Sequence, residues 1–342
     1  MKIIKPVTNT LGMVVSSDAV ESYSAWVETT FYIVGDTVTY LTGVYQCTVA
    51  SPPLWVSTTT YAKDALVRYG TSIYKSLLAS NLNKTPSSQP TWWVLVSTLT
   101  DYNPANYPLS WTKLSSTNQW SMFDGSISST TKKSNTLSVT FTTVLIDSLA
   151  VFNTNAYLVK MTVRDGLGGT IVYEDTQGLA NEVLDWYEYF FNSVDNSKDS
   201  TIFKNIPPFN NAYVTLDFTG GTDLYVGEVI FGTTYSLGFT QEGLSSGIID
   251  YSKKETDDFG NVTLVKRSFS KTMQANVFVE NYQLNQVQRL MYNLRATPTV
   301  WIATDDPYIN EAGIVYGFYK DFSSTISYPT VTMMSLEIEG LI

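Results

Sequence analysis

WVETTFYIVGDTVTYLTGVY spans Trp26 to Tyr45, and WVSTTTYAKDALVRYGTSIY spans Trp55 to Tyr74. Aligned at a constant offset of 29 residues, the two stretches agree at Trp, Val, Thr, Thr, Tyr, Val, Tyr, Thr and Tyr. Each alternates apolar with polar residues, as in Val38-Thr39-Tyr40 and Leu66-Val67-Arg68-Tyr69. Each then turns tightly into a second strand that carries Tyr45 or Tyr74. A period of two marks a half-buried strand, and a tight turn between two such runs makes a hairpin. Segments this short enclose little core, so large rings must do the packing. The repeat is first a fold written twice, with Trp26, Tyr32, Val38 and Tyr40 and their counterparts as its expected interior.

Working outward, turn signals at Gly35-Asp36, Thr42-Gly43, Pro52-Pro53, Gly70 and Pro86 to Pro90 bound the twin modules to residues 25–99. Residues 1–24 read as an extended arm, and TDYNPANYPLS makes 100–110 a linker. From 111 to 235, alternating runs such as TLSVTFTT (136–143), YLVKMTVRD (157–165) and AYVTLDFTG (212–220) predict an antiparallel, jelly-roll-like β-sandwich. NEVLDWYEYFFN (181–192) has possible helical spacing and stands as an insertion. In 236–342, NYQLNQVQRLMYNLRA (281–296) places Leu284, Val287, Leu290, Met291 and Leu294 on one helical face, and Pro298 ends it. Strands on either side make this an α+β domain with one helix. The expected fold is therefore mainly β: two small modules, a central sandwich and an α+β domain.

The composition limits the chemistry. Among 342 residues, 44% are hydrophobic and 15% charged, with Thr, Ser, Asn and Tyr filling the gap, which suits many short strands. The formal charge of −10, from 21 basic and 31 acidic residues, argues against a nucleic-acid partner, which needs clustered Lys and Arg. It also disfavours an anionic membrane surface. No apolar run approaches the about 18 residues of a membrane span, and the N-terminus lacks the form of a signal peptide. The expectation is a soluble chain made without secretory export. Cys47 stands alone, which leaves no intramolecular disulfide frame and no cysteine metal site.

There is no histidine, so the commonest general base, the triad relay and the commonest metal ligand are absent together. Paired carboxylates remain: Asp257-Asp258, Asp305-Asp306, Glu174-Asp175 and the run Glu182, Asp185, Glu188. A glycosidase sets two carboxyl groups about 5–10 Å apart across a cleft, and these spacings read as solvated turns instead. DNSKDS (195–200) lacks the Gly and terminal Glu of a calcium loop. GLGG (166–169) lies between strands with no helix behind it, and reads as a hairpin turn rather than a phosphate cradle. The expectation is a protein that is not an enzyme and holds neither cofactor nor metal. Rows of Trp and Tyr on a small β-platform can stack on the apolar faces of sugar rings. The candidate carbohydrate-binding residues are Tyr45, Tyr74, Trp92 and Trp93.

AW(x5)Y(x2)GD(x)V(x)Y(x4)Y at Ala25 to Tyr45, and its echo from Tyr61 through Pro90 to Trp93, resemble the small chitin- and cellulose-binding modules attached to chitinases. The resemblance covers about seventy residues and implies a sugar-binding platform. Where those modules carry a surface WW after the last Tyr, this chain has Leu77-Leu78, and Thr48-Val49 in the first repeat. WSMFDGSISSTT (120–131), LYVGEVIFGTTYSLG (224–238) and the 267–342 motifs RSFSKTMQ, LMYNLRATPTVWIAT, VYGFYKDFSSTIS and SLEIEGLI resemble tail and baseplate proteins of tailed bacteriophages. That resemblance implies a non-enzymatic virion protein of a tail tip or baseplate, made in the host cytoplasm and assembled as a homo-oligomeric ring with other tail proteins. Its modules would contact bacterial surface polysaccharide. A free or enzyme-associated carbohydrate-binding protein, and an adaptor whose repeats bind only tail proteins, are the alternatives.

Overall fold

A computed structural model describes residues 1–341 other than 29, 99–102, 181–185, 187–189, 191–197, 211, 257–258, 306–310 and 327. Among the described residues the chain is mainly β, with one regular α-helix, and it forms two compact units. The larger unit joins Met1–Ala19 to Ser121–Ile342, and the smaller is Val20–Trp120.

The larger unit is built on an eleven-stranded sheet. Its path runs through Thr201–Phe203, Ser148–Thr154, Leu224–Ser236, Lys2–Pro6, Thr299–Ile302, Ile314–Ile326, Val331–Gly340, Phe269–Glu280 and Phe239–Thr240. The strand Lys2–Pro6 thus lies between one segment of the expected sandwich and one of the expected α+β domain, antiparallel to both. Here the structure departs from the expected boundary at 235, because one sheet continues across it. It also departs from the extended arm: Ile3 and Ile4 are wholly buried on opposite faces of the pleat. Ile3 joins the cluster of Trp301, Met273 and Ile338, and Ile4 joins that of Ala150, Phe152 and Val300. Two isoleucines completing two cores fix this strand in the sheet.

A second sheet of five strands runs Ile171–Gly178, Leu158–Arg164, Ala212–Thr219, Thr136–Thr143 and Val14–Ser17. Its inward positions alternate strictly: Leu137, Val139 and Phe141, then Val159, Met161 and Val163, then Val214, Leu216 and Phe218 are all buried. Phe141 stacks on Phe231 of the large sheet at 4.9 Å between ring centroids, closing a sandwich. GLGG forms the turn between Leu158–Arg164 and Ile171–Gly178, with Gly168 at φ +70° and the Gly169 N–H donating to the Gly166 carbonyl. The helix, Leu284–Asn293, buries Val287 and Met291 against the large sheet beside Trp301. Most of 181–192 lies outside the described residues.

The smaller unit contains two three-stranded sheets of the same design. One joins Thr37–Tyr40, Gly43–Cys47 and Trp111–Ser116, and the other joins Leu66–Tyr69, Ser72–Ser76 and Trp93–Thr98. Their registers match residue for residue. Trp111 faces Cys47 and Lys113 faces Tyr45, with a bulge before Ser115 meets Val44. Trp93 faces Ser76 and Leu95 faces Tyr74, with the same bulge before Ser97 meets Ile73. The second module is therefore inserted between the second and third strands of the first. The segment expected to open the sandwich at 111 closes the outer module instead, and the linker is tied in as well: the Ser110 carbonyl accepts the Thr48 N–H at 2.8 Å.

Candidate functional site

The nested modules decide which aromatic rings are structural. In the outer module the Tyr32 hydroxyl accepts the Val27 N–H at 2.7 Å, and its ring meets Trp111 edge to face at 5.3 Å. In the inner module the Tyr61 hydroxyl accepts the Val56 N–H at 2.7 Å, and its ring meets Trp93 edge to face at 5.4 Å. Trp93 is the inner counterpart of Trp111, and both are about 2% exposed. Its indole N–H donates to the Lys84 carbonyl at 2.7 Å. Trp93, expected among the carbohydrate-binding residues, is therefore a core residue of the inner module. The offset of 29 conceals this role, because the third strands correspond at an offset of 18, the difference between Trp111 and Trp93.

Tyr45 and Tyr74 hold equivalent places on their middle strands, opposite Val38 and Val67, and both are half-buried. The Tyr45 ring lies over Gly43, where an added Cβ would come within 2.6 Å of Cε2. Trp92 is half-buried, and the Lys84 ammonium stands 5.3 Å from its ring centroid. Lys84 thus caps Trp92 with its side chain and anchors Trp93 with its carbonyl. Leu77, Leu78 and Val49, at the places of the resembling modules' WW, are exposed aliphatic residues. The structure brings Trp92 and Trp93 together as chain neighbours, while Tyr45 and Tyr74 sit on separate modules.

Two further aromatic pairs follow the repeat. Trp26 meets Tyr40 at 5.4 Å and 82°, and Trp55 meets Tyr69 at 5.6 Å and 86°. Trp26 and Tyr40 are half-buried rather than core, and they line an open groove of about 250 Å³ with Glu21, Thr39, Thr117 and Gln119. The Glu21 carboxylate accepts the Asn118 and Gln119 N–H groups, each at 2.9 Å, one on each oxygen. Sequence reasoning missed this groove because Glu21 and Gln119 are 98 residues apart. The nested strand order is what joins them.

In the larger unit, Glu228 is 1% exposed and accepts the Gly125 N–H at 3.0 Å. Burial, reinforced by the nearby Asp124 charge, pushes its carboxyl up to about 9, so it holds its proton at neutral pH. Beside it, a cavity of about 260 Å³ is lined by Ile127, Phe152, Asn153, Tyr316 and Lys271 among others. Asp305 takes Lys2 at 2.7 Å and Lys204 at 2.9 Å, and these two partners hold its carboxyl down at about 2. Among the described residues no three Asp, Glu, Cys or His side chains gather as a metal site, and no helix is long and apolar enough to cross a membrane.

The fold class is thus a β-sandwich scaffold with an inserted pair of nested aromatic modules. No protein-family model matches the chain, and no curated protein matches it in sequence.

Proposed function

We propose that this chain is a non-enzymatic structural protein of a phage tail tip or baseplate. Its larger unit assembles with copies of itself and other tail proteins, and its smaller unit contacts bacterial surface polysaccharide. The observation that carries this reading is the connectivity: Val20–Trp120 interrupts a unit whose sheets include strands from both sides of the interruption. A binding module inserted into a self-sufficient scaffold is a display arrangement, since the scaffold keeps its own core. The sequence resemblances to tail proteins and to sugar-binding modules, and the half-buried Tyr45, Tyr74 and Trp92, support the assignment of roles. Weak stacking at each module would be multiplied by copy number in a ring.

The test replaces 20–120 by a short Gly/Ser linker. The trimmed chain should keep its circular dichroism and its self-association by sedimentation, and lose retention on host cell-wall polysaccharide. A full-length chain that stays monomeric and ignores every wall fraction would sink the reading. A second reading, an adaptor whose modules bind only protein, is favoured by the exposed Leu77-Leu78 and Val94-Leu95-Val96. It predicts ring or tail association with no glycan retention.

A further inference from the structure

Resting on that glycan reading, we propose that the Trp26–Tyr40 groove is a subsite for one neutral pyranose ring, with Glu21 and Gln119 bonding its hydroxyls. The groove is small, below the roughly 300–1,000 Å³ usual for drug-sized ligands, which suits a single ring of a longer glycan. Its walls supply both halves of sugar recognition. Half-buried Trp and Tyr rings offer apolar faces for the C–H side of a pyranose, and Thr39, Thr117 and Gln119 surround them with neutral hydrogen-bonding groups.

Glu21 gives the site its fixed geometry. Each carboxylate oxygen already accepts one backbone N–H, which holds the group in place. An ionised carboxylate has about four acceptor positions, so two remain for ligand hydroxyls, whose bonds to it are charge-assisted. No Lys or Arg lines the groove, so an anionic ligand would meet Glu21 without compensation. A quaternary ammonium would be attracted by the rings and the carboxylate. It has no hydroxyls to donate to the two remaining acceptor positions of Glu21, whereas a pyranose does.

The twin module supplies an internal comparison. At the 29-residue offset, Ala50 stands for Glu21, Arg68 for Thr39 and Gly70 for Leu41. The Trp55 indole N–H is buried within the protein. The aromatic pair is repeated, but the Glu21 carboxylate and the Thr39 hydroxyl are not. The structure therefore assigns one subsite to two similar modules.

Isothermal calorimetry on the full chain would use chitohexaose and cellohexaose as neutral probes, with wall teichoic acid and choline as charged ones. A neutral oligosaccharide should bind, and Glu21→Gln, Gln119→Ala and Tyr40→Ala should each weaken it about tenfold or more. Tyr69→Ala, the same truncation in the twin, should change affinity less than twofold. Gln119 is exposed, so unchanged thermal melting of Gln119→Ala separates a lost contact from a lost fold. Glu21→Gln gives up one of its two backbone N–H bonds, so its binding is read beside its own melting curve. Undiminished sugar binding by both, with loss on Trp92→Ala or Tyr74→Ala, overturns the subsite and leaves the glycan reading standing. Choline binding in preference to sugar overturns the ligand class. Failure of the unaltered chain to bind any glycan overturns this inference and the glycan reading together.

Discussion

Single residues in this chain do unlike work under like appearances. Trp92 and Trp93 are adjacent and chemically the same, yet one is half-buried under a lysine and the other is the closing ring of a core. Trp93→Ala should destabilise the inner module by about 3–5 kcal/mol, the usual loss for deleting a buried aromatic. A change within about 0.5 kcal/mol in urea unfolding would instead mark a surface ring. Glu228 makes a second prediction at this scale. Burial raises its folded-state pKa from the ordinary 4.5 to about 9, so its contribution is complete below the unfolded value and is lost as pH rises toward 9. Stability should fall through that window. Glu228→Gln, which still accepts the Gly125 N–H, should flatten the slope in denaturant midpoints measured from pH 5 to 9. An identical slope in the variant would remove Glu228 as its cause. The sequence showed the aromatic wealth of the modules plainly, because composition is local. It could not show which Trp is inside, since burial of Trp93 depends on a strand pairing set 17 residues earlier, at Ser76.

At the scale of elements, periodic segments were legible and isolated ones were not. The helix appears where Leu284, Val287 and Met291 mark a face, and the sandwich strands alternate as written. Lys2–Pro6 has too few residues to show a period, and its place comes from partners more than 200 residues away. The strand Trp93–Thr98 carries its own consequence. It lies at the edge of its sheet, and Val94, Leu95 and Val96 are 42%, 55% and 42% exposed. Exposed apolar edges invite pairing with another chain, and charge on the edge prevents it. The outer module already has Lys113 where the inner one has Leu95, opposite the equivalent tyrosine. Leu95→Lys should therefore raise the monomer fraction at high concentration in light scattering. An unaltered distribution would show that this edge does not mediate self-association.

At the scale of the whole molecule, the two-unit division was not readable from turn signals. Linkers are recognised by composition, whereas the boundaries at 19 and 121 follow from which strands pair. The candidate groove was hidden for the same reason, its walls being drawn from both ends of the inserted unit. Nesting makes a strong prediction: the outer module needs a bridge between its second and third strands, not the particular module that now fills it. The inner module makes the equivalent crossing with residues 78–91 between Leu77 and Trp92. Grafting that loop in place of 49–109 should leave the outer module folded, with Trp111 still ordered against Tyr32 in near-ultraviolet circular dichroism. Loss of that signal would mean that the inner module supports the outer one directly.

The same nesting sets a timetable for a nascent chain. Tyr74 meets Leu95 soon after both have been made, but Tyr45 must wait for Lys113, and Ile3 for Tyr235 and then Trp301. Closing distant pairs requires ordering a long loop first, which slows folding and leaves unpaired strands exposed meanwhile. The innermost hairpins can be finished early during synthesis, whereas the strand Lys2–Pro6, made long before both of its partners, is among the last to find its neighbours.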